Sequence, residues 1–381
     1  MNKKINWITG LKGVSALVIF IHHFALFFYP ALIDGTLQSI RTSNNLELKI
    51  ARSPFNIFGF GAAMGVCMFF TISGFLIAYN YYKRNRNYDI SSTLKRYLKL
   101  MIPVLVSSVI IFLIVKSRIF RTEGLIKMYS KIGLNNNYAS YNENIFNVIW
   151  SSLITLFRTS SFPINPPMWT MKLELIYSVV SMLIINMIGK SNKRYLIYIF
   201  IIFLTLNSYF LCFILGIALC DIWLNNKAKL ESLNKWDIKL IILFIGLFLI
   251  SSTYLNQDTF IYEVIKNMFN NIDYIVTFHS IGVALLILYF LLSDKIKNIF
   301  SKKIFVFFGK QSLGIYLFHW VIINTVSMYI VLVINKYLKY YQSTIISFVL
   351  TLIIVMFFSC YFTKYINIIT NKITKKIDNV L

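Results

Sequence analysis

The sequence is poor in acids, cysteines, prolines and repeats. Only 14 Asp and Glu accompany 38 Lys and Arg in 381 residues, a net charge of +24. Such an excess suits a nucleic-acid binder, but the basic residues sit between long apolar runs, where membrane topology accounts for them. Cys67, Cys212, Cys220 and Cys360 all fall within hydrophobic segments and form no CxxC pair. They read as small apolar residues, not as a disulfide or zinc framework. There is no Pro- or Ser-rich linker and no evident repeat. One integral-membrane domain over residues 1–381 is therefore expected. Lys3 and Lys4 before an apolar run imitate a signal peptide. The run is too long for a signal core and lacks a clear small-residue cleavage site, so a retained first helix is expected.

What the chain has in abundance is apolar surface. Hydrophobic residues make up 57% and aromatics 17%, with a mean hydropathy of +0.67. Runs of about 20 apolar residues are long enough to cross a bilayer as helices. The expected fold is an all-α polytopic membrane protein of about ten spans: 8–29, 57–79, 98–115, 169–188, 195–206, 209–224, 238–255, 274–292, 312–334 and 344–366. The fifth and sixth are separated only by Asn207-Ser208 and suit a tight hairpin. With both termini cytoplasmic, the larger share of Lys and Arg falls inside, led by loops 80–97 and 293–311, as the positive-inside rule requires. A long external loop is expected at 116–168. It holds the polar stretch Asn135–Tyr138 and a half-apolar segment, Ile145–Phe157, too short to span. Pro163, Pro166 and Pro167 precede the fourth span, a position proline tolerates well.

Ionisable groups inside spans are costly and usually face a bundle interior or a watery cavity. Lys12 and His23 lie in the first span, eleven residues apart. That is close to three turns, so they share a helical face roughly 16 Å apart along the axis, while His22 is rotated about 100° from it. Lys12 is either an anchor that snorkels to the headgroups or a cation held for a ligand. In the second span, Gly59, Gly61, Gly65 and Gly74 permit either close helix contacts or room for a slender ligand, with Ser73 offering a hydroxyl. Arg96 and Lys99 are either positive-inside anchors or phosphate ligands.

In the fourth span, Glu174 is two residues from Lys172 and cannot pair with it on one face. A partner on another helix or a polar substrate is expected. Trp169 and Tyr177 are either sugar-stacking or interfacial aromatics. Ser312, Tyr316 and His319 are spaced i, i+4, i+7 and form one polar stripe. His279 stands alone and reads as structural.

Together these residues resemble the acyltransferase 3 family of integral-membrane acyltransferases, nearly end to end. Lys12 and His23 match the Arg-x10-His of its first helix, and Gly65 to Phe75 match its GVxxFFxxSGF-like segment. Arg96 to Pro103 match a basic segment ending in Leu-x-Ile-Pro, and Trp169 and Glu174 match Trp-x4-Glu. Gly309, Ser312, Tyr316 and His319 match a late Gly-x2-Ser-x3-Tyr-x2-His. Lys12 replaces the usual Arg, which keeps the charge and loses the planar fork. The chain stops soon after its tenth span, so the extracellular esterase-like domain of some members is expected to be lacking.

The resemblance implies transfer of an acetyl group from acetyl-CoA to a hydroxyl of a cell-envelope carbohydrate, in a bacterial cytoplasmic membrane and without a metal. Lys12, Arg96 and Lys99 would hold the CoA phosphates. The pantetheine arm would run past Ser73, Ser312, Tyr316 and His319 toward His23. His23 would act as general base, a transient acyl-imidazole being the alternative, and Glu174 would orient the acceptor or the histidine. Trp169 and Tyr177 would bind the acceptor, which is either free or lipid-linked; a homo-oligomer is left open and no nucleic-acid partner is expected. The rival from another class is a transporter or flippase of a polar envelope precursor, which would use Glu174 and the histidines for ion coupling.

Overall fold

The computed structural model describes residues 5–42, 45–53, 55–85, 87–117, 144–154, 164–252 and 274–378. Asn135–Tyr138, Pro163 and most of the expected loop 116–168 lie outside them. Among the described residues all regular structure is helical. The long helices are α1 (Asn6–Phe28), α2 (Ile57–Arg84), α3 (Ile90–Lys116), α4 (Ile145–Ile154), α5 (Trp169–Ile188) and α6 (Arg194–Leu204). There follow α7 (Phe210–Asn225), α8 (Trp236–Ile250), α9 (Tyr274–Leu292), α10 (Lys303–Ile322), α11 (Met328–Ile334) and α12 (Tyr340–Asp378).

Among the described residues, seven helical stretches are long and apolar enough to cross a membrane: Asn6–Phe28, Ile57–Arg84, Ile90–Lys116, Pro166–Ile188, Ile275–Leu292, Lys303–Ile334 and Tyr340–Ile377. This is a multi-pass membrane protein. The other three expected spans fall on the shorter apolar helices α6, α7 and α8. α4 has ten residues and exposes Phe146 and Trp150.

Several helices run further than their apolar cores. α3 starts at Ile90 because Asp89 accepts from Ser92 N–H at 2.7 Å, so Lys95, Arg96 and Lys99 are helical. Lys and Arg are good helix formers. α2 is capped by Asn56, which accepts from Phe58 N–H at 3.1 Å, and it stops at Asn85 with φ of 48°. α10 begins at Lys303, nine residues before the expected span, and passes through a π turn at Ile323–Ser327 into α11. α12 extends through a polar tail to Asp378, no Gly or Pro interrupting it.

The helices gather into two compact units. The first contains Met1–Val18, Arg52–Thr93 and Leu173–Lys310. One close crossing joins α2 to α7. A Cβ on Gly74 would strike the Phe213 carbonyl, and one on Gly216 the Thr71 carbonyl. Of the two roles open to the α2 glycines, Gly74 serves close packing. Gly309 does the same at α1, where a Cβ would strike the Thr9 carbonyl. Asp221 on α7 is fully buried and receives Arg194 Nε at 2.7 Å, Asn225 Nδ2 at 2.7 Å and the hydroxyls of Tyr82 and Tyr198 at 3.2 and 3.3 Å. His279 lies 2.9 Å from the Ser252 carbonyl. The four cysteines are free, and Cys212 Sγ lies 3.0 Å from Ser280 Oγ.

The second unit contains Ile19–Ala51, Leu94–Lys172 and Gln311–Leu381. Phe20 and Phe24 pack on Phe348, and Phe318 packs on Phe358 and Phe362. Ser327 and Ser347 hydroxyls meet at 2.7 Å, and Tyr340 donates to the Phe28 carbonyl at 2.6 Å. The opposite side of α12 exposes Ile345, Val349, Ile353 and Phe357. Only 28% of its most apolar window is buried, against 72% for α2, so α12 presents an apolar face suited to lipid.

Candidate active site

α1 carries His22 and His23 near its C-terminal end, and α10 carries His319 one turn after Ile315. In the second unit, His23 Nδ1 lies 2.8 Å from His319 Nε2, and the two rings meet edge to edge with centroids 5.0 Å apart and planes 19° from parallel. The other ring nitrogen of His319, Nδ1, lies 3.0 Å from the Ile315 carbonyl oxygen. His319 is fully buried, whereas His23 keeps part of its surface accessible. The Trp320 indole meets His23 edge-on at 5.0 Å, and His22 does so at 5.2 Å. Neighbouring imidazoles in a membrane helix bundle are a functional arrangement by default, because apolar packing alone would avoid their desolvation.

One turn before His319 lies Tyr316. Its hydroxyl donates to the Pro167 carbonyl at 2.6 Å and lies 2.7 Å from Thr170 Oγ1. Asn165 Nδ2 donates to the Leu317 carbonyl at 2.7 Å. These bonds tie α10 to the Pro166–Met168 turn that opens α5, so the helix is anchored just before His319. The polar stripe of Ser312, Tyr316 and His319 is buried throughout. Trp320 Nε1, Asn165 Oδ1 and Gln311 Oε1 are buried with no hydrogen-bond partner among the described residues.

A separate cluster belongs to the first unit. Ser73 on α2 donates to Glu174 Oε1 on α5 at 2.5 Å, and Ser178 donates to the Glu174 carbonyl. The carboxylate thus has the partner on another helix that its isolation from Lys172 demanded. Tyr177 is packed against Phe70, Phe210 and Phe213, with its hydroxyl 3.2 Å from Ser208. Trp169 is half-buried.

The cations lie on helices. Lys12 is half-buried on α1, and on α3 Arg96 is half-buried while Lys99 is exposed. Sequence spacing put His23 on the Lys12 face but gave no sign that His319 would meet it. It also passed over Trp320, a residue whose only signal was its place beside His319.

The chain matches a family model described as an acyltransferase domain over residues 5–364. It belongs to the acyltransferase 3 family. Membership over essentially the whole chain makes it a membrane acyltransferase. No curated protein and no solved structure matches it. For an acyltransferase, the imidazole pair has the chemistry of a proton acceptor beside a reacting hydroxyl, and the Ser73–Glu174 pair that of a polar anchor.

Proposed function

We propose that this acyltransferase moves an acetyl group from acetyl-CoA to a hydroxyl of a cell-envelope carbohydrate, in the cytoplasmic membrane of a bacterium. The observation that carries the reading is the His23–His319 pair, a partly accessible imidazole at 2.8 Å from a fully buried one, in a chain of this family. His23 takes the proton of the acceptor hydroxyl as its oxygen attacks the thioester carbonyl carbon. A C–O bond forms, the C–S bond breaks, and the CoA thiolate leaves. The proton passes from the imidazolium to that sulfur, and His23 is neutral again. General-base help of this kind is worth about a hundred- to ten-thousand-fold in rate.

Arg96 and Lys99 on α3, and Lys12 on α1, are assigned to the phosphates of CoA, for which guanidinium and ammonium groups suit. Ser312 and Tyr316 line the way of the acyl arm on the helix that bears His319. Glu174, with Ser73, is assigned to a hydroxyl of the acceptor. Trp169 carries the stacking role better than Tyr177, whose ring is already enclosed by three phenylalanines.

The test uses the purified protein in lipid nanodiscs with labelled acetyl-CoA and envelope glycan. Release of CoA thiol with label on the glycan is expected. Movement of a glycan precursor across vesicles with acetyl-CoA intact would give the protein to the transporter class instead. Mass spectrometry of glycans from a deletion strain, looking for the lost mass of an acetyl group, names the acceptor.

A further inference from the structure

The two imidazoles also define which atom does the work. The Ile315 carbonyl oxygen can only accept a hydrogen bond, so the His319 Nδ1 that lies 3.0 Å from it carries the proton. In a neutral imidazole the second nitrogen is then bare, and His319 Nε2 is an acceptor. His23 Nδ1 lies 2.8 Å from that acceptor, so it is the donor and carries the His23 proton. His23 Nε2 is left with its lone pair free.

We infer that His319 is the positioning residue of this site: it fixes His23 in the Nδ1–H tautomer and so makes Nε2 the atom that takes the acceptor's proton. The inference rests on the acetyltransferase reading for its catalytic part, but the tautomer stands on geometry alone. A backbone carbonyl sets His319 and His319 sets His23, which is the logic by which a third group orients a catalytic imidazole. His319 can play this part because it is fully buried, meets His23 edge to edge and is held at its Nδ1 by its own helix. When His23 becomes an imidazolium, its Nδ1–H bond to a neutral acceptor strengthens, as a hydrogen bond from an ionised donor does. Free histidine favours the opposite tautomer, with the proton on Nε2, so the assignment has a spectroscopic signature.

The experiment is 15N NMR of the full chain, labelled only at histidine, in detergent micelles near neutral pH. Four histidines are present, and His22→Gln and His279→Gln identify their own signals by removal. The expected wild-type result is a His23 with protonated Nδ1 and bare Nε2. His319→Phe keeps a flat ring but no acceptor, and should return His23 to the Nε2–H form. His319→Gln offers a carbonyl oxygen in place of the ring nitrogen and should hold the Nδ1–H form. In acetyl-CoA turnover, His319→Phe should lose about a hundred-fold or more in kcat, as when a catalytic imidazole loses its orienting partner, with the KM for acetyl-CoA unchanged. A wild-type His23 protonated on Nε2, once the variants have assigned its signal, overturns the inference. So does a His319→Phe protein whose His23 keeps its Nδ1 proton. A wild-type spectrum as expected, from a protein that never consumes acetyl-CoA, keeps the tautomer and overturns the acetyltransferase reading.

Discussion

The Ser73 hydroxyl donates a 2.5 Å hydrogen bond to the Glu174 carboxylate, joining α2 to α5 within the first unit. A hydrogen bond to a charged group is worth about 1.5–3 kcal/mol. Ser73→Ala should therefore lower stability by about that amount, while Ser73→Thr retains most of it. Thermal unfolding in a fixed detergent measures both. Glu174→Gln keeps the volume and loses the charge. It should fold, bind acetyl-CoA with unchanged KM, and lower kcat/KM for the glycan acceptor.

The Arg194–Asp221 pair gives a prediction about stability alone. Asp221 is fully buried and Arg194 supplies its one cation among the described residues. Removing one member of a buried pair costs about 3–5 kcal/mol, because the other charge is left desolvated. Arg194→Ala should unfold at markedly lower temperature. The double variant Arg194→Met with Asp221→Leu should recover a large part of the loss. An Arg194→Ala protein as stable as wild type would mean that the Asn225 amide and the tyrosine hydroxyls satisfy the carboxylate without a cation.

The sequence made the helices and several chemical residues legible, for physical reasons that also mark its limits. Apolar length announces a span, so the seven long helices were readable, but it locates only the apolar part. The polar first turns of α3 and α10 were read as loop because Lys and Arg count against a span, although they favour a helix. Glu174 was readable as a residue in need of a partner, since a carboxylate in a span is expensive. Its choice of Ser73 was not, because helix pairing is decided by contacts far apart in sequence. The i, i+4, i+7 stripe put His319 on a polar face but could not say that the face looks at His23. Gly309 looked like part of a catalytic motif, and it is where the backbone of α10 meets the Thr9 carbonyl.

The cationic residues give a kinetic prediction. If Arg96, Lys99 and Lys12 hold phosphates, neutralising any of them removes contacts made equally in ground and transition states. The KM for acetyl-CoA should rise with little change in kcat. Unchanged KM values in well-folded Arg96→Ala and Lys12→Ala proteins would return both residues to membrane anchoring.

Topology is open to a labelling experiment. With both termini cytoplasmic, a reporter at the C-terminus should read as internal and one within 120–160 as external. Asn85→Cys, at the end of α2, should resist a membrane-impermeant thiol reagent in intact cells. Labelling of Asn85→Cys from outside would reverse the arrangement.

The account depends most on His23 being the proton acceptor, and the adjacent His22 is its internal control. Both are partly accessible on α1, and His23 lies 2.8 Å from His319. His23→Gln and His22→Gln should be purified to matched amounts, and acetyl transfer measured with labelled acetyl-CoA. His23→Gln should bind acetyl-CoA normally and lose activity by about a hundred- to ten-thousand-fold, while His22→Gln retains a substantial part. A His23→Gln protein that still transfers acetyl groups at near the wild-type rate would contradict the account.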